Sequence, residues 1–250
     1  MTHVLVTRPL ESARQLAGQL DAQGLEPIVM PLYTFAACNP GMNPGTAWSA
    51  EKTRKLAVFT SPRAVTFGLA HIPDEKLAEL EFAVVGAATR KKLESYGYSV
   101  HLQAQSGFTS EDLLQLPQLA ENPGEAVIFC APGGREALAN GLQELGWNVS
   151  KAMVYERVQL PPEKAQIEAI TVAEELLTVW TSVSALELAR ENLPREAWGR
   201  ILDAPALVIS TRIQHHLQQL GVSRVELADG PGNADLLQAI LRITGRQDNG

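Results

Sequence analysis

Hydroxyl and guanidinium side chains recur at one kind of place in this chain, just after short apolar runs. They are Thr7-Arg8, Thr60-Ser61 with Arg63, the Gly86–Thr89 turn, Thr181-Ser182 with Ser184, and Ser210-Thr211 with Arg212. Arg135 follows a Gly133-Gly134 turn in the same way. A turn that opens into a helix presents free N–H groups and the positive end of the helix dipole, so it accepts a carboxylate or phosphate. Arginine adds a planar fork of donors matched to carboxylates. Singly, each Ser or Thr also reads as an ordinary N-cap, and each Arg as a solvated surface residue. As a set they favour the binding of a carboxylate or phosphate over capping alone. One further group could take part in a reaction. Tyr155, in VYERV, carries a phenol able to donate a hydrogen bond to a departing hydroxyl. Packing is the alternative, because Tyr33 occupies the corresponding position earlier in the chain.

The familiar catalytic spacings are missing. HExxH, paired CxxC, GxSxG, GxGxxG and the Walker loop do not occur. His215 and His216 are adjacent, so on a helix they point about 100° apart and cannot share a metal as an i, i+4 pair would. No metal, covalent nucleophile or redox cofactor is expected. A net charge of −7 argues against nucleic acid and anionic membranes as partners, while leaving room for a local basic site. There are two cysteines; Cys130 ends an apolar run and reads as a reduced core thiol. With no run of transmembrane length and no export signal, a cytoplasmic protein is expected.

The elements that must position these groups follow one grammar. Short apolar runs (Val4–Val6, Val58–Phe59, Ala83–Val85, Val127–Phe129, Val179–Trp180, Leu207–Ile209) read as buried parallel strands. Each leads through a polar or glycine turn into an amphipathic helix, such as Glu11–Gln23 with Leu16 and Leu20 one turn apart. Gly24, Gly97, Gly146 and Gly221 mark helix ends. The class is α/β. The grammar also repeats at about 120 residues: the block from Leu5 matches that from Ile128, Leu56 matches Leu177, Phe82 matches Ala206, and Ser106 matches Asp229. Proline- and glycine-bearing breaks at Asn39–Gly45 and Gln159–Pro162 fall at equivalent places and read as two linkers. The expectation is two flavodoxin-like, doubly wound parallel-sheet domains joined by two linker strands, with a cleft between them.

Taken in order, VLVTRP, VFTSPRAV, VVGAAT, SGFTSEDLL, VYERV and WTSVSAL resemble the uroporphyrinogen-III synthase family nearly end to end. The resemblance implies a discontinuous domain of residues 1–35 plus 168–250 and a second of 36–167 that includes the linker strands, so that each sheet draws on both repeats. It implies a cofactor-free lyase that closes the linear tetrapyrrole hydroxymethylbilane into uroporphyrinogen III, inverting the last ring and losing water. Ser61, Thr89, Ser182, Ser184 and Tyr155 match positions where the family is thought to touch its tetrapyrrole, with Tyr155 assisting hydroxyl departure. Ser210-Thr211-Arg212 departs from the glycine and consecutive threonines of some relatives. A monomer with a transient hand-over from hydroxymethylbilane synthase is implied. Two other readings remain at this point: a two-domain small-molecule binding protein without catalysis, and a flavodoxin-like electron carrier.

Overall fold

The computed structural model describes residues 1–49, 53–104, 109–133 and 136–246. The chain begins with β1 (Thr2–Val6), α1 (Leu10–Ala22), β2 (Glu26–Val29) and β3 (Tyr33–Ala37). It continues through β4 (Lys55–Phe59), α2 (Pro62–Gly68), α3 (Asp74–Leu77), β5 (Glu81–Val84), α4 (Ala87–Glu94), β6 (Leu102–Gln103), α5 (Ser110–Leu114) and α6 (Pro117–Ala120). Next come β7 (Glu125–Cys130), α7 (Glu136–Glu144), β8 (Asn148–Met153), β9 (Tyr155–Gln159), α8 (Lys164–Val172) and β10 (Glu175–Trp180). The last are α9 (Val183–Asn192), α10 (Arg195–Asp203), β11 (Ala206–Val208), α11 (Thr211–Gln219), β12 (Val225–Leu227) and α12 (Asn233–Thr244). Among the described residues no helix is long and apolar enough to cross a membrane.

The chain forms two compact units, Met1–Thr34 with Val158–Gly250, and Phe35–Arg157. The first holds a five-stranded sheet ordered β12-β11-β10-β1-β2, the second a five-stranded sheet ordered β6-β5-β4-β7-β8. Every pairing in both is parallel. The first is the doubly wound 2-1-3-4-5 arrangement; the second reads 3-2-1-4-5 in its own chain order, which is the first arrangement circularly permuted. By the repeat, β1 and β2 correspond to β7 and β8, and β4–β6 to β10–β12. Each sheet therefore takes two strands from one repeat and three from the other. β3 and β9, which carry the chain between the units, pair with one another.

Local sequence explains the elements. In α1 the buried residues are Ala13, Leu16, Ala17 and Leu20, the spacing of one helical face. Gly24 lies just beyond, at φ 69°, a left-handed conformation that costs glycine nothing and other residues more. All five residues of β4 are buried, as a strand between two helix layers requires. The pleat sends Leu56 and Val58 to one face and Ala57 and Phe59 to the other. The second face is aromatic: Phe59 stacks on Phe129 at 4.8 Å between centroids, and Phe82 lies 6.2 Å from Phe59.

Arg54, at the entrance to β4, ties the amino ends of the second unit's strands. Its Nε and Nη2 donate to the two Glu81 carboxylate oxygens at 2.8 and 2.7 Å. Its Nη1 donates to the carbonyls of Gln118 and Glu121 at 2.6 and 2.8 Å, and its guanidinium lies 5.2 Å from the Trp147 ring centroid. These hydrogen bonds hold the Glu81 carboxyl below its ordinary pKa. The folded pKa is thus lower than the unfolded one, so this stabilisation is present above the unfolded value of about 4.3 and is lost as pH falls through the folded value. Arg54→Met is expected to lower the thermal midpoint at neutral pH, with the gap to wild type narrowing once pH drops below about 4. A gap that stays constant under acid would show that Arg54 acts only through the two carbonyls and the Trp147 ring.

Candidate functional site

In a doubly wound sheet the natural ligand position is the carboxyl edge of the two central strands, where neighbouring connections diverge. Those strands are β1 and β10 in the first unit and β4 and β7 in the second. A threonine clips each seam. Thr7 Oγ1 donates to the Val179 carbonyl at 2.8 Å, and Thr60 Oγ1 donates to the Phe129 carbonyl at 3.1 Å. Serines at the carboxyl ends of β4 and β10 cap the helices that follow: Ser61 Oγ accepts from Ala64 N at 3.1 Å, and Ser182 Oγ accepts from Ala185 N at 3.0 Å. Ser210 does the same more weakly, accepting from Ile213 N at 3.5 Å. Capping and ligand binding are compatible here, because a hydroxyl that accepts one N–H keeps its own proton and a second lone pair.

Ser61 has a second partner. Its Oγ lies 2.9 Å from the Tyr155 phenol oxygen, and either atom can be the donor. Tyr155 opens β9, is 8% exposed, and has rings on two sides. Phe67 stacks on it at 5.8 Å, and Phe35 meets it edge to face at 5.8 Å. The Arg63 guanidinium lies over the Phe35 ring, 3.8 Å from its centroid, with Arg157 at 6.0 Å. An exposed cation–π contact of this kind contributes about 0.5–1 kcal/mol. A guanidinium that stacks flat on a ring keeps its in-plane donors for an anion. The second unit thus gathers a hydroxyl pair, an aromatic wall and an exposed guanidinium around the start of α2.

The other expected residues are placed individually. Thr89 is 3% exposed in the first turn of α4, whose N-cap is Gly86 without a side-chain cap, and α4 packs beside α2. Ser184 lies in the first turn of α9, and Thr211 is exposed in the first turn of α11. Arg8 turns toward the loop before α12: Nη2 donates to the Pro231 carbonyl at 3.0 Å and Nη1 to Asn233 Oδ1. Burial lowers its pKa from the ordinary guanidinium value. Arg135, Gly134 and the Ser106–Phe108 part of SGFTSEDLL lie outside the described residues. Among the described residues no group of three or more His, Cys, Asp and Glu could hold a metal ion. A cavity of about 400 Å³, lined by Glu175, Leu177, Arg200, Asp203, Arg224 and Thr244 among others, lies at the opposite, amino-terminal edge of the first unit's sheet. Its size alone gives it no part in the chemistry of these turns.

Sequence reasoning missed Phe35 and Phe67, the two rings against Tyr155. Strand alternation offered a signal for the first, since Tyr33 and Phe35 are two apart and share a side. The second lies four residues after Arg63 on α2, which places it on the same helical face.

The model of the family described as "Uroporphyrinogen-III synthase HemD" matches residues 14–238. The chain belongs to the uroporphyrinogen-III synthase family. The uroporphyrinogen-III synthase of Escherichia coli (strain K12) is 29% identical over 245 residues, covering 95% of this chain and 99% of that protein. Two solved structures share the fold at lower identity. The uroporphyrinogen-III synthetase of Helicobacter pylori 26695 is 19% identical with a TM-score of 0.62, covering 97% of this chain and all of that one. A mutant uroporphyrinogen III synthase of the extremely thermophilic bacterium Thermus thermophilus is 19% identical with a TM-score of 0.57, covering 99% of this chain and all of that one.

Proposed function

We propose that this chain is a uroporphyrinogen-III synthase, converting hydroxymethylbilane into uroporphyrinogen III with inversion of ring D and loss of water. The family match over residues 14–238 carries the reading. The Tyr155–Ser61 hydroxyl pair, 2.9 Å apart, supplies the local chemistry. In this reading the Tyr155 phenol donates to the terminal hydroxyl as its C–O bond breaks and water leaves. The proton released from the pyrrole N–H restores the phenol, and the remaining azafulvene is the electrophile. Ser61, held by Ala64 N–H, keeps the phenol oriented. Attack by the substituted carbon of the last ring then gives the spiro intermediate that leads to inversion.

Pyrroles are electron-rich and ring closure proceeds without enzyme to the uninverted isomer, so the protein's task is mainly orientation, worth several kcal/mol. The substrate's carboxylates suit exposed Arg63 and the α4 amino end that carries Gly86 and Thr89 in the second unit; in the first unit, the amino ends of α9 and α11, with Ser182, Ser184, Ser210 and Thr211, offer donors of the same kind. The same reading makes the protein a cofactor-free cytoplasmic monomer that takes its substrate by transient hand-over from hydroxymethylbilane synthase. Binding without catalysis is not favoured, since the family match and the curated relatives bear the synthase name.

Freshly generated hydroxymethylbilane tests this. The purified protein is expected to give mainly isomer III, measured by separating the oxidised products. Isomer I alone, at the rate of the protein-free control, would overturn the proposal.

A further inference from the structure

We propose that Phe35 is a positioning residue that fixes Arg63 for recognition of a substrate carboxylate and couples it to the Tyr155 ring. The inference rests on the synthase reading above. Arg63 leaves the first turn of α2 on a long, exposed side chain, and without a brace its fork would sample many directions. The brace is the Phe35 ring, whose centroid is 3.8 Å from the guanidinium carbon. Arginine stacks in this way because its guanidinium is planar and weakly hydrated; lysine's compact ammonium has no such face.

Phe35 is placed independently of α2. It lies in the middle of β3, which pairs with β9, and nearby Cys38 N donates to the Val154 carbonyl at 3.3 Å. β9 begins with Tyr155, so the strand pairing that sets the Phe35 ring also sets the phenol it meets edge to face. One ring thus touches an anion-recognising fork and the side chain proposed as the acid. A carboxylate held by Arg63 is thereby given a fixed place relative to the Tyr155–Ser61 pair. The ligand class is a pyrrole-borne acetate or propionate carboxylate.

Steady-state kinetics with freshly generated hydroxymethylbilane, with thermal midpoints alongside, test the idea. Wild type, Phe35→Leu, Phe35→Tyr, Arg63→Met, Arg63→Lys and the Phe35→Leu/Arg63→Met double variant are compared. Phe35→Leu is expected to raise KM about five-fold, and Arg63→Met about ten-fold. The double variant should have a KM no higher than that of Arg63→Met, because the brace has nothing left to hold. Phe35→Tyr keeps the ring and should recover most of the loss. Multiplying KM effects in the double variant, or Phe35→Tyr as poor as Phe35→Leu, would overturn the inference. Arg63 is exposed, so Arg63→Lys serves even if Phe35→Leu folds poorly: a KM near that of Arg63→Met supports the brace, and a wild-type KM overturns it. Wild type giving only isomer I would instead overturn the synthase reading, before any variant is compared.

Discussion

Tyr155→Phe is expected to slow formation of isomer III about 100-fold, the lower end of what a positioned general acid contributes. The low end applies because loss of the terminal hydroxyl from an electron-rich pyrrole is already facile. The substitution removes one oxygen and one hydrogen bond, that to Ser61 Oγ at 2.9 Å. Ser61 keeps its capping bond from Ala64 N, and the ring keeps Phe67 and Phe35 on its two sides. The fold should therefore lose only about 1 kcal/mol, the net value of one hydrogen bond. Product composition gives a second readout. As the enzymatic route slows, spontaneous closure claims more of the substrate and the share of isomer I rises. Stopped assays at short times, with products separated by isomer, measure both quantities. A wild-type rate with unchanged isomer composition would assign Tyr155 to packing alone.

How far the sequence reaches is seen by following particular residues. Ser61 and Ser182 follow short apolar runs and precede helices, and their capping bonds are local, spanning three residues, so both are readable from the chain. The reciprocal strand exchange is implied by the family resemblance and is what the sheet orders display. Arg8 shows the limit. Its residue type and its turn suggest a fork open to an anion, yet its Nη1 and Nη2 meet acceptors at Asn233 and Pro231, more than 220 residues away. The wall around Tyr155 is unreadable for the same reason. Phe35, Phe67 and Tyr155 come from a connecting strand, a helix and a second connecting strand, and no local period joins them. Alternation gives the side a residue faces; only packing gives its partner.

The aromatic face of the second unit should be the part of the fold least tolerant of truncation. Phe129→Ala is expected to cost about 3–5 kcal/mol, the range for deleting a buried aromatic ring. Phe129 is 0% exposed, stacked on Phe59 at 4.8 Å and tilted against Trp48 at 6.4 Å. Above it lies Gly68, where a Cβ would come within 2.7 Å of the Phe129 ring, so α2 rests its backbone directly on that ring. Glycine has no side chain to move into the space left by truncation. The strand cannot sag either, since β7 is hydrogen-bonded to β4 on one side and β8 on the other. Both facts keep the cavity open and push the cost toward the upper end. At about 2–4 °C per kcal/mol for a chain of this size, the thermal midpoint should fall by roughly 10–20 °C. The Phe129 carbonyl, which accepts from Thr60 N at 3.3 Å and from Thr60 Oγ1 at 3.1 Å, survives the substitution. The turn carrying Ser61 is therefore still held by backbone, and the folded variant should keep its preference for isomer III well below its lowered midpoint. A midpoint within about 2 °C of wild type would mean that the neighbouring rings close over the gap. Preserved stability with a lost isomer preference would mean that the Phe129 ring, rather than its carbonyl, sets the Thr60-Ser61 turn.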